Sequence, residues 1–190
     1  MGVKTVFIDR DGTINENTGY INSPNLFKMY PGVAEGVKLL KDKGFKIVII
    51  TNQSGIARGL FTKETLEEIH DKMKNEFKEK GASFDAIYYC PHHPDEKCNC
   101  RKPRTGLLEK AIRDFDVDLK KSYIIGDRML DIEAGKKIGV KTVLVPEKIE
   151  MVKREMEKSD IVPDHISNDF SSGVKWILEN EKSNTLSRGI

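Results

Sequence analysis

Val6-Phe7-Ile8-Asp9-Arg10-Asp11-Gly12-Thr13 closes an apolar, β-branched run that begins at Val3 and stops at two carboxylates one residue apart. Such a run predicts a buried strand, with Asp9 and Asp11 at its carboxyl end. The same grammar recurs along the chain. Phe45 to Ile50 is a second continuous apolar run and ends in Thr51-Asn52-Gln53-Ser54. Ala86 to Tyr89 runs into Cys90, Tyr123 to Ile125 into Gly126-Asp127-Arg128, and Val140 to Val145 is a further strand.

Between these runs the apolar period changes from continuous to helical. Val33, Val37 and Leu40 follow Pro31 and precede Gly44, predicting a helix from Pro31 to about Lys43. Thr62 is a candidate N-cap for a helix with Leu66, Ile69, Met73 and Phe77 on one stripe, ended by Gly81. Further helices are expected over Leu107 to Phe115, Leu130 to Ile138 and Ile149 to Met156. Pro163 to Ile166 suits a short strand, and Phe170 to Leu178 a last helix. Strands alternating with helices of these lengths predict an α/β fold, a Rossmann-like three-layer sandwich with a mainly parallel sheet. In such sheets ligands bind at the carboxyl ends of the strands, so Asp9/Asp11, Thr51/Asn52 and Asp127 are expected to converge on one edge.

Bulk properties limit the function classes. A chain of 190 residues suits one domain, here 1–180, with a flexible C-terminal tail at 181–190 and no insertion long enough for a large cap domain. Thirty-two basic against thirty acidic residues give a net charge of +2, no general electrostatic basis for nucleic acid or membrane surfaces. No apolar run approaches the ~18 residues of a membrane span. The first residues lack the pattern of a secretion signal, so a cytoplasmic location is expected. A monomer is expected.

All three cysteines, Cys90, Cys98 and Cys100, lie with His92 and His93 inside one short stretch. An odd cysteine number in a reducing compartment argues for metal rather than disulfides. Cys90-x-His92 followed by Cys98-x-Cys100 supplies a closed tetrahedral Zn²⁺ set, with His92 preferred over His93. Its expected role is structural, holding the loop 90–103 in shape. His70 and His165 are expected to be structural.

Taken as chemistry, Asp9 is a candidate nucleophile toward phosphorus, and Asp11 a candidate acid and base for the leaving oxygen and the incoming water. A divalent cation such as Mg²⁺ would relieve the repulsion between carboxylate and phosphate, with Asp127 as a second carboxylate ligand and Asp131 as a holder of metal-bound water. Thr51 and Lys102 are candidates to stabilise the phosphate. A calcium loop is excluded, because an EF-hand needs glycine at its sixth position and Gly12 stands fourth from Asp9.

Asp9-Arg10-Asp11-Gly12-Thr13, Thr51-Asn52, Lys102 and Gly126-Asp127…Asp131 resemble, in order and separation, the four motifs of the haloacid dehalogenase superfamily of phosphohydrolases. The resemblance implies Asp9 as nucleophile, Asp11 as acid and base, Thr51 and Lys102 on the phosphate, and Asp9, Asp127 and the Asp11 carbonyl on Mg²⁺. The zinc stretch leading into Cys100-Arg101-Lys102-Pro103 is similar to the subfamily of heptose-bisphosphate and histidinol-phosphate phosphatases. Thr51 to Gly59 and Cys90 to Pro94 favour the heptose branch. By that resemblance Asn17, Gly19, Tyr20, Asn52, Gln53, Ser54, Arg101 and Arg128 would contact a small phosphorylated sugar. The second phosphate of a bisphosphate suits the guanidinium fork of Arg101. A zinc-organised binding module without activity is the reading of another class, and it would require a missing catalytic group.

Overall fold

The computed structural model describes residues 2–186. Six strands, β1 (Thr5–Ile8), β2 (Lys46–Asn52), β3 (Ala86–Cys90), β4 (Tyr123–Gly126), β5 (Lys141–Leu144) and β6 (His165–Ile166), form one sheet in the order β3-β2-β1-β4-β5-β6. Every pairing is parallel, with Phe7 set between Val48 and Ile124. The intervening helices are α1 (Val33–Asp42), α2 (Lys63–Glu79), α3 (Gly106–Phe115), α4 (Met129–Ile138), α5 (Ile149–Met156) and α6 (Phe170–Leu186).

The pleat sends alternate residues to opposite faces, and both faces are covered. Val6, Ile8, Ile47, Ile49, Tyr123 and Ile125 pack with α1, α2 and α6 through Val37, Ile69, Met73, Val174 and Ile177. Phe7, Val48, Ile50 and Ile124 pack on the other face with Leu108 and Ala111 of α3 and Ala134 of α4. This two-sided burial explains why the strands read as unbroken apolar runs rather than alternating ones. Helix ends follow local chemistry: Thr62 Oγ1 accepts from Thr65 N–H at 3.2 Å to cap α2, and Gly139, at φ +81°, ends α4.

Several element bounds differ from expectation, three of them for a visible reason. Strand β2 runs two residues further, because Thr51 and Asn52 still pair with Tyr89 and Cys90. Helix α1 starts at Val33, since Gly32 before it takes a left-handed conformation, φ +80°, and leaves Pro31 outside. The expected tail at 181–190 is helical as far as Leu186, and 187–190 lie outside the described residues. Contacts at the end of α6 account for the extension: Lys4 pairs with Glu181, and Tyr123 Oη donates to Asn180 Oδ1 at 3.3 Å. Among the described residues no helix is long and apolar enough to cross a membrane.

Candidate active site

Parallel strands all point their carboxyl ends the same way, so the residues after β1, β2, β3 and β4 share one edge. Asp9 N–H donates to Ile125 O at 2.9 Å, which fixes Asp9 beside the start of the Gly126-Asp127 turn. Asp9, Asp127 and Asp131 are all buried, and carboxylate oxygens of the three lie within 4.8 Å of one another. Two glycines permit this crowding. A Cβ on Gly12, at φ +91°, would stand 2.3 Å from Asp127 Oδ2, and one on Gly126 would stand 2.4 Å from Asp131 Cβ.

A single lysine enters the cluster. Lys102 Nζ lies 2.5 Å from Asp9 Oδ1 and 2.6 Å from Asp131 Oδ1, and donates to Ile50 O at 2.6 Å. Asp131 also works for the fold: its Oδ2 accepts from Arg128 N–H at 3.2 Å, capping α4. Asp131 thus stands beside both Lys102 and the two carboxylates, Asp9 and Asp127, with which it could share a metal site.

Three carboxylates against one ammonium leave an excess of negative charge. Burial pushes Asp9 up to about 7 against the pull of Lys102, with Asp131 adding to the rise. Burial pushes Asp127 up to about 9, with Asp9 and Asp131 adding to it. Burial opposes the charge on Lys102, but Asp131 and Asp9 more than offset it and hold the ammonium above its ordinary range. Asp127 Oδ1 is buried with no hydrogen-bond partner. An unpartnered carboxylate oxygen among crowded carboxylates fits a hard divalent cation, which takes oxygen ligands and removes the repulsion.

Asp11 stands apart from this cluster and is held by nitrogen donors. Arg10 Nη2 lies 2.8 Å from both of its oxygens, Asn15 Nδ2 donates to Oδ1 at 3.0 Å, and Gln53 Nε2 to Oδ2 at 2.7 Å. Gln53 Nε2 also bonds Thr51 Oγ1 at 2.8 Å. Arg10 is almost wholly buried, and its Nη1 lies 3.3 Å from His70 Nε2 on α2. Burial first, then the nearby Arg10 charge, bring His70 down to about 3, so its ring is neutral.

A cavity of about 290 Å³ opens over these groups. It gathers Asp9, Asp11, Thr51, Lys102, Asp127 and Asp131 with Asn17, Gly19, Tyr20, Asn52, Gln53, Arg101 and Arg128. Ser54 is the exception among the expected contacts: it is buried and does not line the cavity. Asn52 spends its amide on the Lys102 backbone, and Arg128 pairs with Glu155 of α5, its Nε donating at 2.7 Å. Arg101 Nη1 is buried without a hydrogen-bond partner. A larger hollow of about 550 Å³ lies behind Gly12 and Thr13 and contains none of the carboxylate and lysine cluster.

Cys90, His92, Cys98 and Cys100 form the second group able to hold a metal. His92 Nδ1 lies 3.1 Å from Cys100 Sγ and 3.5 Å from Cys90 Sγ, and the three sulfurs are 3.2 to 3.5 Å apart. These separations approach those of tetrahedral ligands at ~2.3 Å from zinc. His93 is used elsewhere, its Nδ1 accepting from Asp95 N–H at 3.3 Å. Sequence reasoning read His70 as structural and gave no role to Arg10, Asn15, Glu155 or Glu147, whose carboxylate accepts from Asn17 N–H at 3.1 Å. Only Arg10 and Asn15 had a signal, their closeness to Asp11; the others arrive from remote elements.

Comparison with known proteins adds an independent line. A HAD-hydrolase-like family model matches residues 99–172. A probable D-glycero-D-manno-heptose-1,7-bisphosphate 7-phosphatase of Thermoplasma volcanium is 48% identical over 126 residues, covering 66% of this chain and 86% of that protein. D-glycero-beta-D-manno-heptose-1,7-bisphosphate 7-phosphatase of Haemophilus ducreyi is 41% identical over 170 residues, covering 85% and 93%. The crystal structure of D,D-heptose 1,7-bisphosphate phosphatase from B. bronchiseptica, complexed with magnesium and phosphate, superposes with a TM-score of 0.84 at 32% identity, covering 94% and 99%.

Proposed function

Because the chain belongs to the family of D-glycero-D-manno-heptose-1,7-bisphosphate 7-phosphatases, within the haloacid-dehalogenase-like hydrolases, we propose that it hydrolyses the 7-phosphate of a heptose 1,7-bisphosphate. It is a phosphoric monoester hydrolase. The observation that carries the reading is the buried cluster of Asp9, Asp127 and Asp131 sharing the Lys102 ammonium at the carboxyl edge of the sheet.

In this reading Lys102 holds Asp9 Oδ1, and the other carboxylate oxygen attacks phosphorus. The phosphorus bond to the sugar oxygen breaks as the bond to Asp9 forms, and Asp11 gives the departing oxygen a proton. Asp11 then takes a proton from the water that attacks the aspartyl phosphate, releasing inorganic phosphate and restoring Asp9. Thr51 and Lys102 stabilise the phosphoryl oxygens. Asp9, Asp127 and the Asp11 carbonyl would hold Mg²⁺, which when bound offsets the negative charge shared by carboxylates and phosphate. The magnesium bound by the B. bronchiseptica relative supports the choice of cation. Arg101, with its buried unpartnered nitrogen, receives the distal phosphate.

The cysteine and histidine cluster binds Zn²⁺ structurally in this reading, and two residues beyond Cys100 the chain delivers Lys102 to Asp9. The loops at 15–30 and 90–103 close over a small substrate. The test is phosphate release with Mg²⁺ across a panel of phosphate esters. The expected result is a kcat/KM for heptose bisphosphate at least ~100-fold above that for histidinol phosphate, with Asp9→Asn inactive on both. A preference for histidinol phosphate overturns the substrate assignment, and turnover by Asp9→Asn overturns the mechanism.

A further inference from the structure

We infer that His70, through Arg10, is a positioning residue for the acid and base Asp11. Asp11 is gripped by a side chain adjacent in sequence, and that side chain has almost no freedom of its own. Arg10 is among the largest fully buried side chains of the protein, and its fork meets Asp11 through Nε at 3.1 Å and Nη2 at 2.8 Å. A buried guanidinium needs its remaining N–H groups satisfied, or it will rotate toward another acceptor. His70 Nε2, 3.3 Å from Arg10 Nη1, meets that need.

The direction of this bond is settled by chemistry. Arginine has donors only, so His70 Nε2 accepts and the ring proton sits on Nδ1. His70 comes from the middle of α2, sixty residues from Arg10, and its ring lies 5.9 Å from that of Tyr89 on β3. Helix α2 and strand β3 thus set the ring, the ring sets the plane of the guanidinium, and the guanidinium sets the Asp11 carboxylate. Gln53 completes the hold from the opposite side and links it to Thr51. His70 does not line the substrate cavity, so its influence passes through Arg10.

The inference rests on Asp11 serving as the acid that protonates the leaving group. That role distinguishes substrates by leaving group. A sugar alkoxide needs a proton to depart, and 4-nitrophenolate does not. The measurement is kcat/KM for heptose bisphosphate and for 4-nitrophenyl phosphate in the zinc- and magnesium-loaded full chain. His70→Phe, which keeps the ring but removes the acceptor, is expected to lose roughly tenfold on the sugar ester and less than about twofold on the aryl ester. His70→Gln, which returns an acceptor oxygen, is expected to recover most of the loss. Arg10→Lys, which keeps the charge but not the fork, should show the same split and carries the test if His70→Phe does not fold. Asp11→Asn is the control for the underlying role. If Asp11→Asn shows the split and a folded His70→Phe does not, or if His70→Phe does not fold and Arg10→Lys shows none, the positioning role is overturned. Equal losses on both esters in His70→Phe and Arg10→Lys overturn it too, since a packing defect does not sense the leaving group. If Asp11→Asn itself loses both esters equally, the assignment of Asp11 as acid fails, and the inference fails with it.

Discussion

Asn52 and Lys102 are bound to each other twice: Asn52 Nδ2 donates to the Lys102 carbonyl at 3.2 Å, and Lys102 N–H donates to Asn52 Oδ1 at 3.1 Å. Strand β2 therefore grips the backbone of the residue whose ammonium meets Asp9. Removing the amide leaves a backbone donor and acceptor short of partners, at a cost of ~1–3 kcal/mol. Asn52→Ala is expected to lower kcat about tenfold with little change in KM or zinc content. A rise in KM at constant kcat would instead make Asn52 a substrate contact, as the sequence resemblance implied.

Lys102 itself belongs to the loop that begins at Cys90 and carries the cysteine and histidine cluster. Cys98→Ser should lower zinc stoichiometry, measured by atomic emission, and reduce Tm by roughly 5–10 °C, equivalent to ~2–3 kcal/mol. Activity should fall with it, because Arg101 and Lys102 directly follow Cys100. Full zinc content in Cys98→Ser would remove Cys98 from the ligand set.

Burial raises Asp9 to about 7 and Asp127 to about 9 from an ordinary 3.8. Above about pH 4 the unfolded chain has lost protons that the native carboxyls still hold, so metal-free stability falls as pH rises through this window. A bound cation favours the ionised forms and reverses the preference. Thermal unfolding should show Tm of the metal-free protein declining by a few degrees between about pH 5 and about pH 8, with Mg²⁺ raising Tm more at the higher pH. A magnesium effect independent of pH would place the cation away from these two groups.

Glu147, just beyond β5, accepts from Asn17 N–H at 3.1 Å and from Tyr30 Oη at 2.5 Å. One carboxylate thus anchors both ends of the loop that carries Asn17, Gly19 and Tyr20 to the cavity. Glu147→Ala should raise KM about fivefold and leave kcat within about twofold, since charge-assisted hydrogen bonds of this kind contribute ~1.5–3 kcal/mol. A selective loss of kcat would move the role of Glu147 from the loop to the reaction.

Much of this protein was legible as local physics. Unbroken apolar runs meant strands covered on both faces, helical stripes meant layers, and polar residues after each run placed Asp9, Thr51 and Asp127 on one edge. The Cys90, His92, Cys98 and Cys100 set followed from donor chemistry at short spacing, which needs no knowledge of packing. The partnerships across the sheet were of another kind. That Lys102 enters the carboxylate cluster against both Asp9, 93 positions away, and Asp131 depends on how two loops meet over β1 and β4. That Arg128 faces Glu155, Asn52 faces the Lys102 backbone, and His70 accepts from Arg10 depends on helix placement to within an ångström. Hydrophobic periodicity is indifferent to such distances, because apolar burial is non-directional, whereas a hydrogen bond exists only where the packed elements bring donor and acceptor together.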